Sequence, residues 1–144
     1  MEIEKKFLVD KDNMPSLTTN VRIEQHYLNS INDKWLIRLR QWDNDYFMEL
    51  KTVGDVSREE LKFKITKEEY LEGIKHSIKK LRKTRYLFFE KDLSYEIDIY
   101  DDYEFITVEV EFESEEEADK FVAPIWFKED VTQDYKYRNN NLAK

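Results

Sequence analysis

The six residues after Met1 read EIEKKF, and they place Glu2, Glu4 and Lys6 at every second position. In an extended chain, residues i, i+2 and i+4 project to one face, so two carboxylates and an ammonium stand in a row. The alternation recurs. In WLIRLRQW, Arg38 and Arg40 oppose Trp35, Ile37 and Leu39; in FMELKT, Glu49 and Lys51 oppose Met48 and Leu50. In SREELKFKI, Arg58, Glu60, Lys62 and Lys64 oppose Leu61, Phe63 and Ile65. Lys83 and Arg85 share a face in RKTRYLF, Glu96 and Asp98 in SYEIDIY, and Glu109 and Glu111 in ITVEVEFE. Guanidinium groups grip phosphate oxygens two at a time, so such a basic wall suits a polyphosphate. Clustered carboxylates suit a hard divalent cation such as Mg2+ or Mn2+, which also binds phosphate oxygens. Gathered in one cavity, the two sets point to a metal–polyphosphate complex.

The elements that must position these side chains are strands. With EIEKKFLV and RIEQHYLN, the alternating segments number about eight. Taken one at a time, each also fits an antiparallel sheet with one wet face. The charged parity, however, repeats Glu-x-Glu, Arg-x-Arg and Glu-x-Asp, like-charge pairs that repel unless ions or neighbouring strands compensate them. About eight strands can close into a barrel, which removes both edges. The expected fold is therefore α+β, mainly β: an eight-stranded antiparallel closed β-barrel, or tunnel, with a charged lumen and helices packed outside. Gln25 and Tyr27 then face inward, where the Tyr27 phenol either orients a phosphate or Lys83, or plugs the lumen end; the direction of Glu49 stays open. Trp35, Trp42 and Trp126 are expected in the outer packing, and His26 and His76 at the surface.

Helical signals are fewer. Thr66 and Glu69 form a capping box, and Tyr70, Leu71, Ile74, Ile78 and Leu81 follow at the spacing of one buried helical stripe. Ser114 and Glu117 cap a short second helix running through Phe121 and Val122, with Pro124 as its stop. The tail ends in a turn or short helix.

Composition narrows the class. The 144 residues are 40 % hydrophobic and 15 % aromatic, enough for the core of a single domain spanning residues 1–144. Charged residues reach 39 %, against roughly 25 % in ordinary globular domains. A net charge of −8 argues against a nucleic-acid partner. There is no cysteine for disulfides or thiolate metal sites. No apolar run approaches the roughly 18 residues of a membrane span and no signal-peptide pattern is present, so a cytoplasmic protein without a membrane partner is expected. With only two glycines and two prolines, no linker stands out.

The opening EIEKK resembles the Glu-x-Glu-x-Lys motif of the CYTH superfamily, the triphosphate tunnel metalloenzymes. The similarity continues in order through EQHYL, RLR, FMELK, REE, KTRY, YEID, VEVE and PIWFKEDVTQDYKYRNNNLA, so it spans essentially residues 2–143. The resemblance implies an eight-stranded tunnel that takes a small-molecule triphosphate with Mg2+ or Mn2+ as cofactor. Glu2 and Glu4 would hold metal with Glu111 and Glu109; Asp98, of the inward parity, completes the candidate metal set. The candidate substrate-binding residues are Lys6, Arg38, Arg40, Lys51, Arg58, Lys62, Lys83, Arg85, Lys136 and Tyr27, and the candidate catalytic ones Glu2, Glu4, Lys6, Glu60 and Lys83. Water would attack the terminal phosphorus in line, with the cations stabilising the departing pyrophosphate. The implied activity is metal-dependent triphosphate hydrolysis, on inorganic tripolyphosphate or a nucleoside or thiamine triphosphate. A class IV type adenylate cyclase and a non-catalytic polyphosphate or nucleotide binder are the alternatives, and a homodimer is compatible. Four residues depart from the family pattern: Lys62 for a glutamate, Glu49 for a threonine, His26 for a glycine and Lys136 for an arginine.

Overall fold

The computed structural model describes residues 2–29, 34–52 and 57–144. Its strands are β1 (Glu2–Val9), β2 (Asn20–Tyr27), β3 (Trp35–Trp42), β4 (Asp45–Thr52), β5 (Ser57–Arg58), β6 (Glu60–Ile65), β7 (Lys79–Glu90), β8 (Leu93–Tyr100), β9 (Ile106–Glu111) and β10 (Phe127–Asp130). They form a single sheet in the order β10-β1-β9-β8-β7-β2-β3-β4-β6, with β5 on β1, and the pairings are antiparallel throughout.

Closure comes from a short seam. Only Glu59 separates β5 from β6; β6 pairs with β4, while Ser57 and Arg58 pair with Ile3 and Glu2 of β1. The sheet thereby returns to its own first strand. Ten strand segments are present where the alternation implies about eight. Two local features account for the difference. The strand that closes the wall breaks at Glu59, whose N–H bonds to the Thr52 hydroxyl at 2.9 Å. The short β10 then occupies the remaining edge of β1, opposite Phe7 and Val9.

The apolar parity packs outside this wall. Phe7, Val9, Tyr95, Ile97, Val108, Val110, Phe112, Trp126 and Phe127 form one buried cluster together with Ala118 of α2 (Glu115–Lys120). Burying each such large side chain contributes roughly 1.5–3 kcal/mol. This outer core carries the barrel, because the inner face is polar. Glu4, Lys6, Gln25, Arg38, Arg40, Glu49, Lys83, Arg85, Asp98 and Glu109 are all buried within it. Trp126 joins the outer cluster as expected, and Trp35 lies on the outside, 39 % exposed. Trp42 does not: it lines the lumen beside Arg40, as its even-numbered parity with Arg38 and Arg40 requires.

The Thr66–Glu69 capping box is present in both directions and starts α1 (Lys67–Gly73). The expected helical stripe stops there. A 3-10 turn (Ile74–His76) follows, and the Ile78 N–H donates to the Tyr27 carbonyl at 2.9 Å, drawing the chain into the sheet. Leu81 is a strand residue, while Leu71 and Ile78 are 47 % and 58 % exposed. Gly73 permits α1 to lie against the wall, since a Cβ there would stand 2.4 Å from Leu39 Cδ1. His26, expected at the surface, is buried beneath this helix, edge-on to Tyr70 and hydrogen-bonded to Glu24 and Ser77. Ser114 caps α2 as its spacing predicts, but the helix ends before Phe121. The tail forms a 3-10 turn (Tyr135–Tyr137) and α3 (Asn139–Leu142), then pairs Lys144 with Lys80. No helix of the described residues is long and apolar enough to cross a membrane.

Candidate active site

The register brings the charged parity of successive strands to one cavity of about 460 Å³. β1 contributes Glu2, Glu4 and Lys6; directly opposite, β9 sets Glu111 against Glu4 and Glu109 against Lys6, and β8 sets Glu96 against Glu109. Two carboxylate groupings result, each with ligand oxygens within 4.8 Å of one another: Glu2, Glu4 and Glu111, and Glu4, Glu96 and Glu109. Glu4 belongs to both.

Their electrostatics are uneven. Burial, followed by the charge and hydrogen bond of Glu96 and the charges of Glu2 and Glu109, pushes the Glu111 carboxyl up to about 7. Burial and a hydrogen bond with Glu2 likewise raise Glu60 to about 7. Burial also works against ionisation of Glu2, but Lys51, the bond from Glu60 and Arg58 prevail and lower it to about 2. Glu109 is buried too, yet Lys6, Arg85 and Lys83 hold it well below the usual carboxylate range. Two raised carboxyls among neighbouring acids mark negative charge that the local cations do not balance. Hard oxygen donors in excess of local positive charge are what Mg2+ or Mn2+ requires, so the residues fit such an ion.

The basic wall is equally built. Arg38 Nε donates to Glu49 Oε1 at 2.7 Å, and Arg40 Nε lies 3.1 Å from the same oxygen. Glu49, left open by the sequence, is inward and 1 % exposed. Lys51 reaches Glu2 at 2.9 Å, and Arg58 pairs with Glu4. Arg85 donates to both oxygens of Asp98 at 2.8 and 3.0 Å, and to Glu96 at 2.8 Å. Lys6 donates to the Tyr137 carbonyl at 2.6 Å and stands 3.6 Å from Glu109. Tyr27 lines the cavity, and its hydroxyl accepts from Gln25 at 2.7 Å. Glu49 and Lys62 are direct cross-strand partners on β4 and β6.

Three expected site residues fall elsewhere. Asp98 is fully buried behind the cavity and engaged by Arg85 and Lys83, so it holds the basic wall in place and stands outside both metal-type groupings. Glu96, the neighbouring inward acid, takes the position expected of it. Lys83 is also fully buried, with its ammonium 2.6 Å from Asp98, and does not line the cavity. Lys136 is exposed on the tail; Arg138, Asn139 and Asn140 line the cavity instead. Glu96 was legible as inward but not separable from Asp98 by parity. The tail residues had no periodic signal.

No protein-family model matches the chain. An inorganic triphosphatase of Nitrosomonas europaea is 39 % identical over 147 residues, covering 99 % of this chain and 96 % of the relative. An inorganic triphosphatase of Acetivibrio thermocellus is 32 % identical over 146 residues, covering 99 % and 93 % respectively. The crystal structure of the inorganic triphosphatase NE1496 superposes with a TM-score of 0.72 at 34 % identity, over 99 % of this chain and 94 % of that one. More distant solved structures, at 16–22 % identity, share the fold alone.

Proposed function

The chain belongs to the inorganic triphosphatase family of the CYTH superfamily, and from that membership we propose that it hydrolyses inorganic tripolyphosphate with a divalent metal as cofactor. The observation that carries this reading is the meeting of Glu2, Glu4, Glu96, Glu109 and Glu111 with Arg38, Arg40, Lys51, Arg58 and Arg85 in one cavity. Glu2, Glu4 and Glu111, and Glu4 with Glu96 and Glu109, would hold Mg2+ or Mn2+, which when bound neutralises phosphate charge and favours attack at phosphorus.

The chain's own groups do the rest. Arg38 and Arg40 offer the phosphate oxygens the guanidinium donors that Glu49 leaves free. Arg85, fixed by Asp98 and Glu96, presents a cation whose orientation is set before substrate arrives. Glu60, with its carboxyl near 7, is suited to accept the proton of the attacking water close to neutral pH. Water adds to the terminal phosphorus, the bond to the bridging oxygen breaks, and phosphate and pyrophosphate leave. Lys51 and Lys6, both lining the cavity, stabilise charge growing on the leaving oxygens.

The test is phosphate release from tripolyphosphate with Mg2+, with Mn2+ or with EDTA. Equal amounts of phosphate and pyrophosphate with metal, and neither with EDTA, is the expected result. Release undiminished by EDTA refutes the metal dependence, and binding without release makes the protein a polyphosphate binder. Cyclic AMP formed from ATP in the same assay would assign it to the cyclases.

A further inference from the structure

The strand cations that line the cavity nearly all have a carboxylate beside them. Arg38 and Arg40 share Glu49, Lys51 has Glu2, Arg58 has Glu4, Arg85 has Glu96 and Asp98, and Lys6 has Glu109. Lys62 differs. It lines the same cavity, yet among the described residues no carboxylate pairs with it; its ammonium rests 4.3 Å from the Phe47 ring centre and 5.9 Å from that of Trp42. Aromatic faces hold a cation in place without cancelling its charge. Lys62 stands two positions along β6 from Glu60, the residue hydrogen-bonded to Glu2, which is roughly 7 Å of extended chain. The Lys62 end of the cavity therefore carries a cation with no carboxylate partner among the described residues.

Trp42 indicates what that end accepts. Arg40 and Arg85 each lie over its ring at 5.8 Å, in addition to Lys62. Three cations thus converge on one ring at the cavity wall, and the group that they favour is an anion. We propose, on the basis of the triphosphatase reading, that Lys62 selects substrates unesterified at both ends: it receives the second terminal phosphate of inorganic tripolyphosphate, where a nucleoside or thiamine triphosphate carries an organic group. The second terminal phosphate carries more charge than an esterified one, so the ammonium favours the inorganic chain.

The experiment measures calorimetric binding of tripolyphosphate and of ATP in EDTA, to the wild type, Lys62→Met and Lys62→Arg. Tripolyphosphate is expected to bind the wild type more tightly. Lys62→Met should lower its affinity roughly tenfold, as for loss of a hydrogen bond between charged groups, and lower ATP affinity much less; Lys62→Arg should keep the preference. An equal loss for both ligands, an unchanged ratio, or no preference in the wild type overturns the proposal. Because binding is read without turnover, a preference that follows Lys62 in a protein releasing no phosphate defeats only the hydrolytic reading. Hydrolysis with an unmoved preference defeats only the role of Lys62.

Discussion

Glu49→Gln is the substitution that most exposes how the basic wall is held together. One carboxylate oxygen receives Arg38 at 2.7 Å and approaches Arg40 at 3.1 Å, in a side chain 1 % exposed. Removing one partner of a buried ion pair typically costs about 3–5 kcal/mol, because the remaining charge is left without compensation. The substituted amide can still accept one hydrogen bond and the cavity admits water, so the lower figure, about 3 kcal/mol, applies. For a domain near this size that is a fall of roughly 10 °C in Tm. Burial opposes ionisation of Glu49, but Arg38 and Arg40 hold its carboxyl well below the ordinary 4.5. A depressed carboxyl contributes stability above its unfolded value and loses it as pH falls toward the folded one. The wild type should therefore lose stability more steeply than Glu49→Gln below about pH 4.5. Tripolyphosphate supplies replacement negative charge, so in EDTA it should raise the Tm of the variant more than that of the wild type. Thermal melts across pH, with and without tripolyphosphate, provide the assay. An unchanged Tm, or equal ligand shifts in both proteins, would show that Glu49 does not neutralise the two arginines.

Further expectations concern the acidic wall and the anion grip. Glu4→Gln removes the acid common to both groupings; it should abolish metal-dependent phosphate release while circular dichroism stays native, and near-normal turnover would refute its role. Arg40→Ala should weaken tripolyphosphate binding far more than phosphate binding, as read by calorimetry; equal losses would count against a grip on several phosphates. Burial and neighbouring acids push Glu60 and Glu111 up to about 7, so between about pH 4.5 and 7 these two groups hold more protons in the folded chain than in the unfolded one. In EDTA, these two groups should make stability fall as pH rises through that window, and Mg2+ should reduce the fall; melts at fixed ionic strength provide the check.

The inner surface was largely written in parity. Glu2, Glu4 and Lys6, Arg38 and Arg40, and Glu109 and Glu111 all face the cavity because an extended chain leaves them no other common side. Trp42 obeys the same rule; placing it outside followed its hydrophobicity instead of its position. Parity could not rank Glu96 against Asp98, since both point inward and only depth separates them. Nor could it show that α1 covers His26, because a strand pattern does not say which outward side chains a later helix will bury. Ile74, Ile78 and Leu81 kept helical spacing, but the Ile78–Tyr27 hydrogen bond ended the helix early, a competition between segments distant in sequence. The cavity residues of the tail, Arg138 to Asn140, lie in irregular backbone where no period marks a face.

The most direct measurement is anomalous diffraction from crystals grown with Mn2+ and a non-hydrolysable imido analogue of tripolyphosphate. Manganese should lie among Glu2, Glu4 and Glu111 or among Glu4, Glu96 and Glu109, with the phosphate chain running toward Arg38, Arg40 and Lys62. Manganese bound only outside the cavity, or a phosphate chain held on the outer face of the sheet, would contradict a charged tunnel built to hold metal and triphosphate together.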